Sequence, residues 1–141
     1  MSHPMTAEER AWPPLVRTPA ALLAVAAARA LAALTPYRIR CVLQVIRRGA
    51  VAATAAQALA ARDDVVAVSA RCAGPACLQR SLATAILCRL RGTWPTWCAG
   101  VRVEPFRAHA WVQVNGQPVG EPYPAGYYRP IMTVAAPTTA P

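Results

Sequence analysis

The sequence predicts an α+β protein in which helices come first and a small antiparallel sheet follows. Apolar residues recur at helical spacing up to Gly92, whereas apolar and polar residues alternate with period two beyond it. An Asn115-Gly116 pair, typical of a tight hairpin turn, interrupts the alternating part. The chain has 141 residues, 55% of them hydrophobic, which is enough for one domain with its own core.

Four helices are expected before the sheet. The first spans 19–34 and is rich in alanine, and the second spans 37–48 and ends at Gly49. The third begins at about residue 54 and continues until just before Gly74.

The fourth helix, 75–92, has clear signals at both ends. Pro75 suits the first helical position and Gly92 suits the C-terminal stop. One face of this helix is expected to pack inward, because an apolar residue recurs every four positions, at Leu78, Leu82, Ile86 and Leu90.

Strands are expected at 96–103 and 109–114, where Val and Trp alternate with other residues. A return strand would begin at Gln117 and be cut short by the prolines at 122 and 124. The expected organisation is a single domain with four parts, namely an irregular N-terminal segment (1–17), a helical part (18–71), a core (72–134) and a disordered tail (135–141).

The chain carries a net charge of +9, and all 15 of its basic residues are arginine. This balance favours an acidic partner, although a bias of the source genome toward arginine explains it equally well. Nucleic-acid binding is disfavoured, because no basic stripe interleaved with aromatic residues is present. The apolar run 19–34 is too short for a membrane span and contains Arg29, so a buried helix that could also dock on a partner is expected.

The five cysteines are odd in number and form no regular framework. Together with the lack of a signal peptide, this predicts a reduced, cytoplasmic protein. Cys72, Cys88 and Cys98 are expected to be packing residues. Cys72, Cys77 and His109 could be imagined as metal ligands, but the spacing lacks a second pair, so neither a metal nor a cofactor is expected.

Cys77 and His109 are the candidates for chemistry. Cys77 lies in the first turn of the fourth helix, where the helix dipole favours a thiolate and backbone N–H groups could stabilise an oxyanion. His109, on a strand that could pack against that helix, could act as its base and acid. Both residues could instead be ordinary core residues. A third group would orient the imidazole, and Glu121 is the better candidate, with Asn115 second.

Two segments, CLQRSLATAILCRLRG (77–92) and PFRAHAWVQVNGQPVGE (105–121), resemble the transglutaminase-like leader peptidases of lasso peptide biosynthesis. That family has a Cys-Leu-x-Arg-Ser-Leu-Ala helix followed by an Ala-His-Ala-Trp-Val strand and a D/N-G turn. The resemblance is specific over about residues 72–121 and weak in the N-terminal helices. It implies a transglutaminase-like or papain-like core with one catalytic helix packed on a small antiparallel sheet.

The resemblance also implies roles for individual residues. Cys77 corresponds to the nucleophile and His109 to the base, while Glu121 stands where the family usually has Asp. Arg80 and Ser81 match the helix motif and are expected to support the site. Independently of the resemblance, strand alternation places Trp111, two residues beyond His109, on the same sheet face, where it could shield the imidazole, wall the substrate cleft or simply pack in the core.

The family's reaction is removal of the leader from a ribosomally made precursor peptide before a macrolactam synthetase closes the ring. A chain of this size resembles the protease half of a split system, in which a separate small protein recognises the leader. Two alternatives stay open: a transglutaminase-like acyl transferase, and a non-enzymatic scaffold of the biosynthetic complex.

Overall fold

The computed structural model describes residues 16–138, so His3 and most of the predicted irregular segment lie outside the described part. Its helices are α1 (Thr18–Ala32), α2 (Pro36–Ile46), α3 (Ala55–Val68), α4 (Ala70–Ala73) and α5 (Cys77–Leu90). Its strands are β1 (Val51–Ala52), β2 (Thr93–Trp94), β3 (Thr96–Arg102), β4 (Arg107–Val114), β5 (Gln117–Pro118) and β6 (Arg129–Val134). The predicted α+β class, with helices preceding a small antiparallel sheet, is confirmed.

Helix α1 packs against α5 through small side chains. Its buried face consists of Ala21, Ala24, Ala28 and Leu31, and alanines let two helix backbones approach closely. Within residues 16–138, no helix has both the length and the apolar character needed to cross a membrane.

The predicted single helix from about 54 to Gly74 is wrong, because Ser69 divides it. Ser69 has an extended backbone, with φ −132° and ψ 114°, which ends α3. Its hydroxyl accepts a hydrogen bond from the N–H of Cys72 at 3.2 Å and so caps the short helix α4. At its other end α3 is stabilised by a reciprocal capping box between Thr54 and Gln57.

Helix α5 begins two residues later than predicted. Ala76 is the N-cap, with φ −79° and ψ 68°, and the N–H of Cys77 donates to the carbonyl of Pro75 at 2.9 Å. These angles are those of an inverse γ-turn, which keeps Pro75 outside the helix. Pro75 therefore precedes the N-cap and does not occupy the first helical position.

The apolar face predicted for α5 is correct in its middle and wrong at its end. Leu82 and Ile86 are buried, and Leu78 is half-buried against the core. Leu90 is 51% exposed, because α5 ends there and the fully buried Trp94 of β2 fills the core beyond it.

The main sheet is antiparallel, with the strand order β5-β4-β3-β6. The hairpin turn between β4 and β5 is confirmed, since Asn115 and Gly116 both have positive φ, 52° and 77°. Strand β4 begins two residues earlier than predicted, at Arg107. Strand β6 was not predicted, and β1 and β2 form a separate parallel pair.

The two faces of the sheet have different surroundings. On the inner face, Trp97, Ala110 and Val112 join the core beneath α5. On the outer face, Cys98, Trp111 and Tyr128 form a second buried cluster.

Gly100 of β3 allows the close approach of β6. A Cβ atom at this position would lie 2.3 Å from the carbonyl oxygen of Arg129, which is an impossible contact. The register between β3 and β6 shifts at this point, between Ala99 and Gly100.

Residues 135–138, at the start of the predicted disordered tail, have no regular secondary structure. The carbonyl of Ala135 nevertheless accepts a hydrogen bond from Arg47 at 2.9 Å, and the N–H of Ala136 donates to Thr96 at 2.9 Å. Residues 139–141 lie outside the described part of the chain.

Candidate active site

Cys77, the first residue of α5, meets His109 at an open edge of the sheet. The N–H of Val119 donates to the carbonyl of Val112 along the β5 side of β4. Along a strand, the backbone groups of every second residue point to the same side, so the N–H of Ala110 points to the same edge of β4 as the carbonyl of Val112. Strand β5 is only two residues long, and Ala110 lies past its end. The N–H of Ala110 and the His109 ring are the hydrogen-bond partners that lower the pKa of the Cys77 thiol.

Glu121 is the third member of the group. Its Oε2 lies 3.0 Å from Nε2 of His109, and both side chains are largely buried, with 7% and 12% of their surfaces exposed. Since Nε2 bonds the carboxylate, Nδ1 is the ring nitrogen left for Cys77. Asn115, the second candidate, lies exposed in the hairpin turn. Of the two candidates, the structure brings Glu121 to the imidazole.

The electrostatics of the group favour a thiolate–imidazolium pair. Burial alone would raise the pKa of Cys77, but hydrogen bonds from His109 and Ala110, with the charges of His109 and Arg80, outweigh it and lower that pKa. Burial alone would lower the pKa of His109, but hydrogen bonds to Cys77 and Glu121 and their negative charges raise it from 6.5 to about 9. The lowered pKa of the Cys77 thiol and the raised pKa of the His109 ring both favour placing the shared proton on the ring.

Aromatic rings cover the His109 imidazole on the outer face of the sheet. Trp111 lies parallel to it with ring centroids 5.9 Å apart, and Tyr128 stacks on it at 4.8 Å. Tyr123 approaches edge-on at 6.4 Å. Trp111 thus lies beside the imidazole, as strand alternation predicted. The sequence did not identify the two tyrosines as neighbours of His109. Their position in a proline-rich segment is the one feature that sets them apart, and it does not indicate a contact with the imidazole.

A pocket of about 190 Å³ opens beside this aromatic group. His109, Trp111, Glu121, Tyr128 and the segment around Pro124 line it. The pocket adjoins the imidazole and the carboxylate, so a substrate group can lie next to them.

Arg80 holds the turn that precedes α5 in place. Its guanidinium donates to the carbonyls of Cys72 and Gly74, at 3.2 Å and 2.9 Å, and so ties the preceding turn to the helix that carries Cys77. Ser81 connects α5 to the sheet, because its hydroxyl donates to the carbonyl of Leu78 and accepts the indole N–H of Trp97 at 3.1 Å. Both residues contact structural groups around the site.

Arg62 of α3 is a neighbour of the site that the sequence did not identify. It is only 6% exposed and packs under Gly120, where a Cβ atom would lie 2.5 Å from its Cδ. Gly120 also has φ +67°, so glycine suits both its space and its backbone. The segment that carries Glu121 therefore rests on α3.

Not every backbone N–H group at the start of α5 is able to donate to an oxyanion. The N–H of Cys77 is already bonded to the carbonyl of Pro75, so it is not free at the helix start. The next two N–H groups, of Leu78 and Gln79, have no acceptor in the described part of the chain, since helical bonding begins with the N–H of Arg80. These two groups are the donors that the helix start offers.

The remaining cysteines differ from Cys77 in their environment. Cys72, Cys88 and Cys98 are buried, as predicted, and burial raises the pKa of each thiol. Cys41 is exposed, and all five thiols are free. Between residues 16 and 138 there is no group of three or more His, Cys, Asp or Glu side chains that could hold a metal ion.

Comparison with protein families matches residues 21–133 to a family described as the transglutaminase-like superfamily. The chain belongs to this superfamily. The match covers most of the chain and includes Cys77, His109 and Glu121. Proteins of this superfamily are generally cysteine peptidases or acyltransferases, which gives the general reaction class of the chain. Searches of curated proteins and of solved structures found no significant match.

Proposed function

We propose that this transglutaminase-like protein is a leader peptidase of lasso peptide biosynthesis. It hydrolyses the bond between leader and core in a ribosomally made precursor peptide, before macrolactam formation, with Cys77 as nucleophile, His109 as acid and base, and Glu121 as the group that orients the imidazole. One observation carries the proposal. Cys77, His109 and Glu121 are in contact in the order that a thiol protease needs, within segments that resemble this family.

The acylation step follows from the contacts of the dyad. The Cys77 thiolate attacks the carbonyl carbon of the last leader residue, and the oxyanion that forms accepts hydrogen bonds from the N–H groups at the start of α5. The tetrahedral intermediate then collapses to a thioester. The C–N bond breaks, and the His109 imidazolium gives its proton to the departing amine of the core peptide.

Deacylation returns the site to its initial state. His109, now neutral, takes a proton from a water molecule, which attacks the thioester carbonyl. The C–S bond breaks, the leader leaves with a free carboxyl group, and the proton on His109 reforms the ion pair with Cys77. Glu121 accepts a hydrogen bond from Nε2 throughout, which holds Nδ1 toward the sulfur.

The proposal includes partners and a compartment. A small leader-recognition protein presents the precursor, and a macrolactam synthetase joins the freed core N-terminus to a side-chain carboxyl group. No cofactor takes part. Free thiols persist in a reducing compartment, and the five free cysteines of this chain support the cytoplasm as its location.

An acyl transferase is the second candidate, since the superfamily includes acyltransferases and the same thioester can react with an amine. Arg80 and Ser81 support the site in either reaction. Water access to the thioester decides between hydrolysis and transfer.

The test is mass spectrometry of a precursor peptide incubated with this protein and the leader-recognition protein. Free leader and free core are expected from the wild type and from Cys41→Ala, which removes an exposed thiol far from His109 in the sequence. No cleavage is expected from Cys77→Ala, provided that circular dichroism shows it folded. Cleavage by Cys77→Ala overturns the proposal. A crosslinked or amidated product from the wild type would show that the reaction is acyl transfer and not hydrolysis.

A further inference from the structure

Two arginines face each other at one end of the sheet, close to the candidate site. Arg102, the last residue of β3, lies directly opposite Arg107, the first residue of β4. The next pair on the same face is Gly100 and His109, since opposed residues two positions apart point the same way. Both arginines therefore share the sheet face of His109.

This arginine pair lacks a neutralising partner in the described part of the chain. In residues 16–138, Asp64 forms ion pairs with Arg17 and Arg91, and Glu121 forms one with His109, whereas neither Arg102 nor Arg107 lies within ion-pair distance of a carboxylate. Arg102 instead stacks its guanidinium on the Tyr127 ring, 4.1 Å from the centroid.

Like charges at directly opposed positions destabilise a pair of strands. Their Cβ atoms lie about 5 Å apart in such a pair, so the two guanidinium groups can bind one carboxylate together. An anion between them would turn the repulsion into attraction, and planar guanidinium groups bind carboxylates in bidentate fashion.

The arginine pair lies within substrate reach of the dyad. Arg107 and His109 are two residues apart on one strand, which corresponds to about 7 Å. Burial raises the pKa of Tyr128, the ring that stacks on His109, and the charges of Arg107 and Arg102 act on that pKa in the opposite direction.

We propose that Arg102 and Arg107 form a subsite for a carboxylate side chain of the peptide substrate. An extended peptide rises about 3.3 Å per residue, so the Asp or Glu that they bind lies about two to four residues from the scissile bond. The subsite rests on the proposed peptidase function and names one feature of its substrate. It also assigns a role to two of the 15 arginines that give the chain its positive charge.

The test compares Arg102→Gln/Arg107→Gln with a control, Arg38→Gln/Arg40→Gln, which removes the same charge from exposed positions on α2. Substrates are precursor peptides in which each Asp or Glu near the cleavage site is changed in turn to the matching amide. One acidic position is expected to raise KM about five- to tenfold when neutralised, the size of one or two exposed charge-assisted contacts. The subsite variant is expected to show the same rise on the acidic peptide and none on the neutralised one.

An equal rise in KM from the control variant, or no rise from the subsite variant, overturns the subsite and leaves the peptidase function intact. A binding measurement tests the opposite case, in which the subsite is correct and the peptidase function is wrong. A fluorescent peptide that spans the leader–core junction is titrated by fluorescence anisotropy with Cys77→Ala protein, with and without the added substitutions Arg102→Gln/Arg107→Gln. If the wild type cleaves no precursor and yet Arg102→Gln/Arg107→Gln weakens this binding about five- to tenfold, the subsite stands and the peptidase function falls.

Discussion

Glu121→Gln tests the role of the carboxylate without changing the shape of the side chain. The amide keeps an oxygen that can accept the hydrogen bond from Nε2 of His109 but removes the negative charge. That charge and that bond are two of the causes that raise the pKa of His109 from 6.5 to about 9. The interval corresponds to about 3 kcal/mol, which is what Glu121 and Cys77 together contribute beyond the opposing effect of burial.

Removing the charge is expected to narrow the active pH range from both sides. The imidazolium loses its proton at lower pH, so the alkaline limb of kcat/KM, which lies near the pKa of about 9 in the wild type, moves down by about one pH unit or more. A less stable imidazolium also lowers the pKa of Cys77 less effectively, so the acid limb moves up. The two limbs belong to the coupled pair of Cys77 and His109.

The rate is expected to fall as well. A charge-assisted hydrogen bond between largely buried groups contributes about 1.5–3 kcal/mol and the neutral bond that Gln can keep about 0.5–1.5 kcal/mol. The difference is about 1–1.5 kcal/mol, so kcat/KM is expected to decrease about 5- to 15-fold. The assay is kcat/KM for precursor cleavage from pH 5 to pH 10. An unchanged alkaline limb in Glu121→Gln would refute the role of Glu121.

Three further predictions follow from the site and its support. At pH 6.5, iodoacetamide is expected to alkylate Cys77 several-fold faster than the exposed Cys41, as measured by peptide mass spectrometry, because the neighbouring His109 imidazolium lowers the pKa of the Cys77 thiol. Gly100→Ala is expected to lose about 2–4 kcal/mol of unfolding free energy in urea, because its Cβ would meet a backbone carbonyl of β6 at 2.3 Å, whereas Gly74→Ala, whose nearest contact would be 3.6 Å, is expected to lose much less. Ser81→Ala leaves a buried indole N–H without its acceptor, so a loss of about 1–3 kcal/mol is expected in the same assay.

Each of these predictions has a contradicting result. Equal alkylation rates would show that no thiolate forms at the start of α5. Equal losses from the two glycine variants would show that the close approach of β3 and β6 is not what requires glycine. A stability of Ser81→Ala equal to that of the wild type would show that the bond between α5 and β3 contributes nothing.

The sequence predicted the elements that carry Cys77 and His109 because their signals are local. Apolar periodicity identified α5, the Asn115-Gly116 turn identified the β4–β5 hairpin, and strand alternation placed Trp111 beside the histidine. The choice of Glu121 over Asn115 as the group nearest the imidazole also agrees with the geometry.

The features that the sequence did not predict depend on distant contacts. Strand β6 has weak periodicity of its own, and a side chain at position 100 of β3 would clash with its backbone. Tyr128 reaches His109 only after that pairing places it on the outer face. The predicted start of α5 was two residues too early because Pro75 was assigned to the first helical position. The γ-turn at Ala76, which places Pro75 before the helix, has no signal in the sequence.

The most direct test of the thiol mechanism is the intact mass of the protein after rapid mixing with precursor peptide and quenching in acid. The expected result is a transient species heavier by the mass of the leader acyl group, with the modification on Cys77 after digestion. His109→Ala is expected to reduce that species strongly, and Cys41→Ala is expected to leave it unchanged. Precursor cleavage with no acylated species under conditions that trap thioesters, or acylation of another cysteine, would contradict the proposed roles of Cys77 and His109.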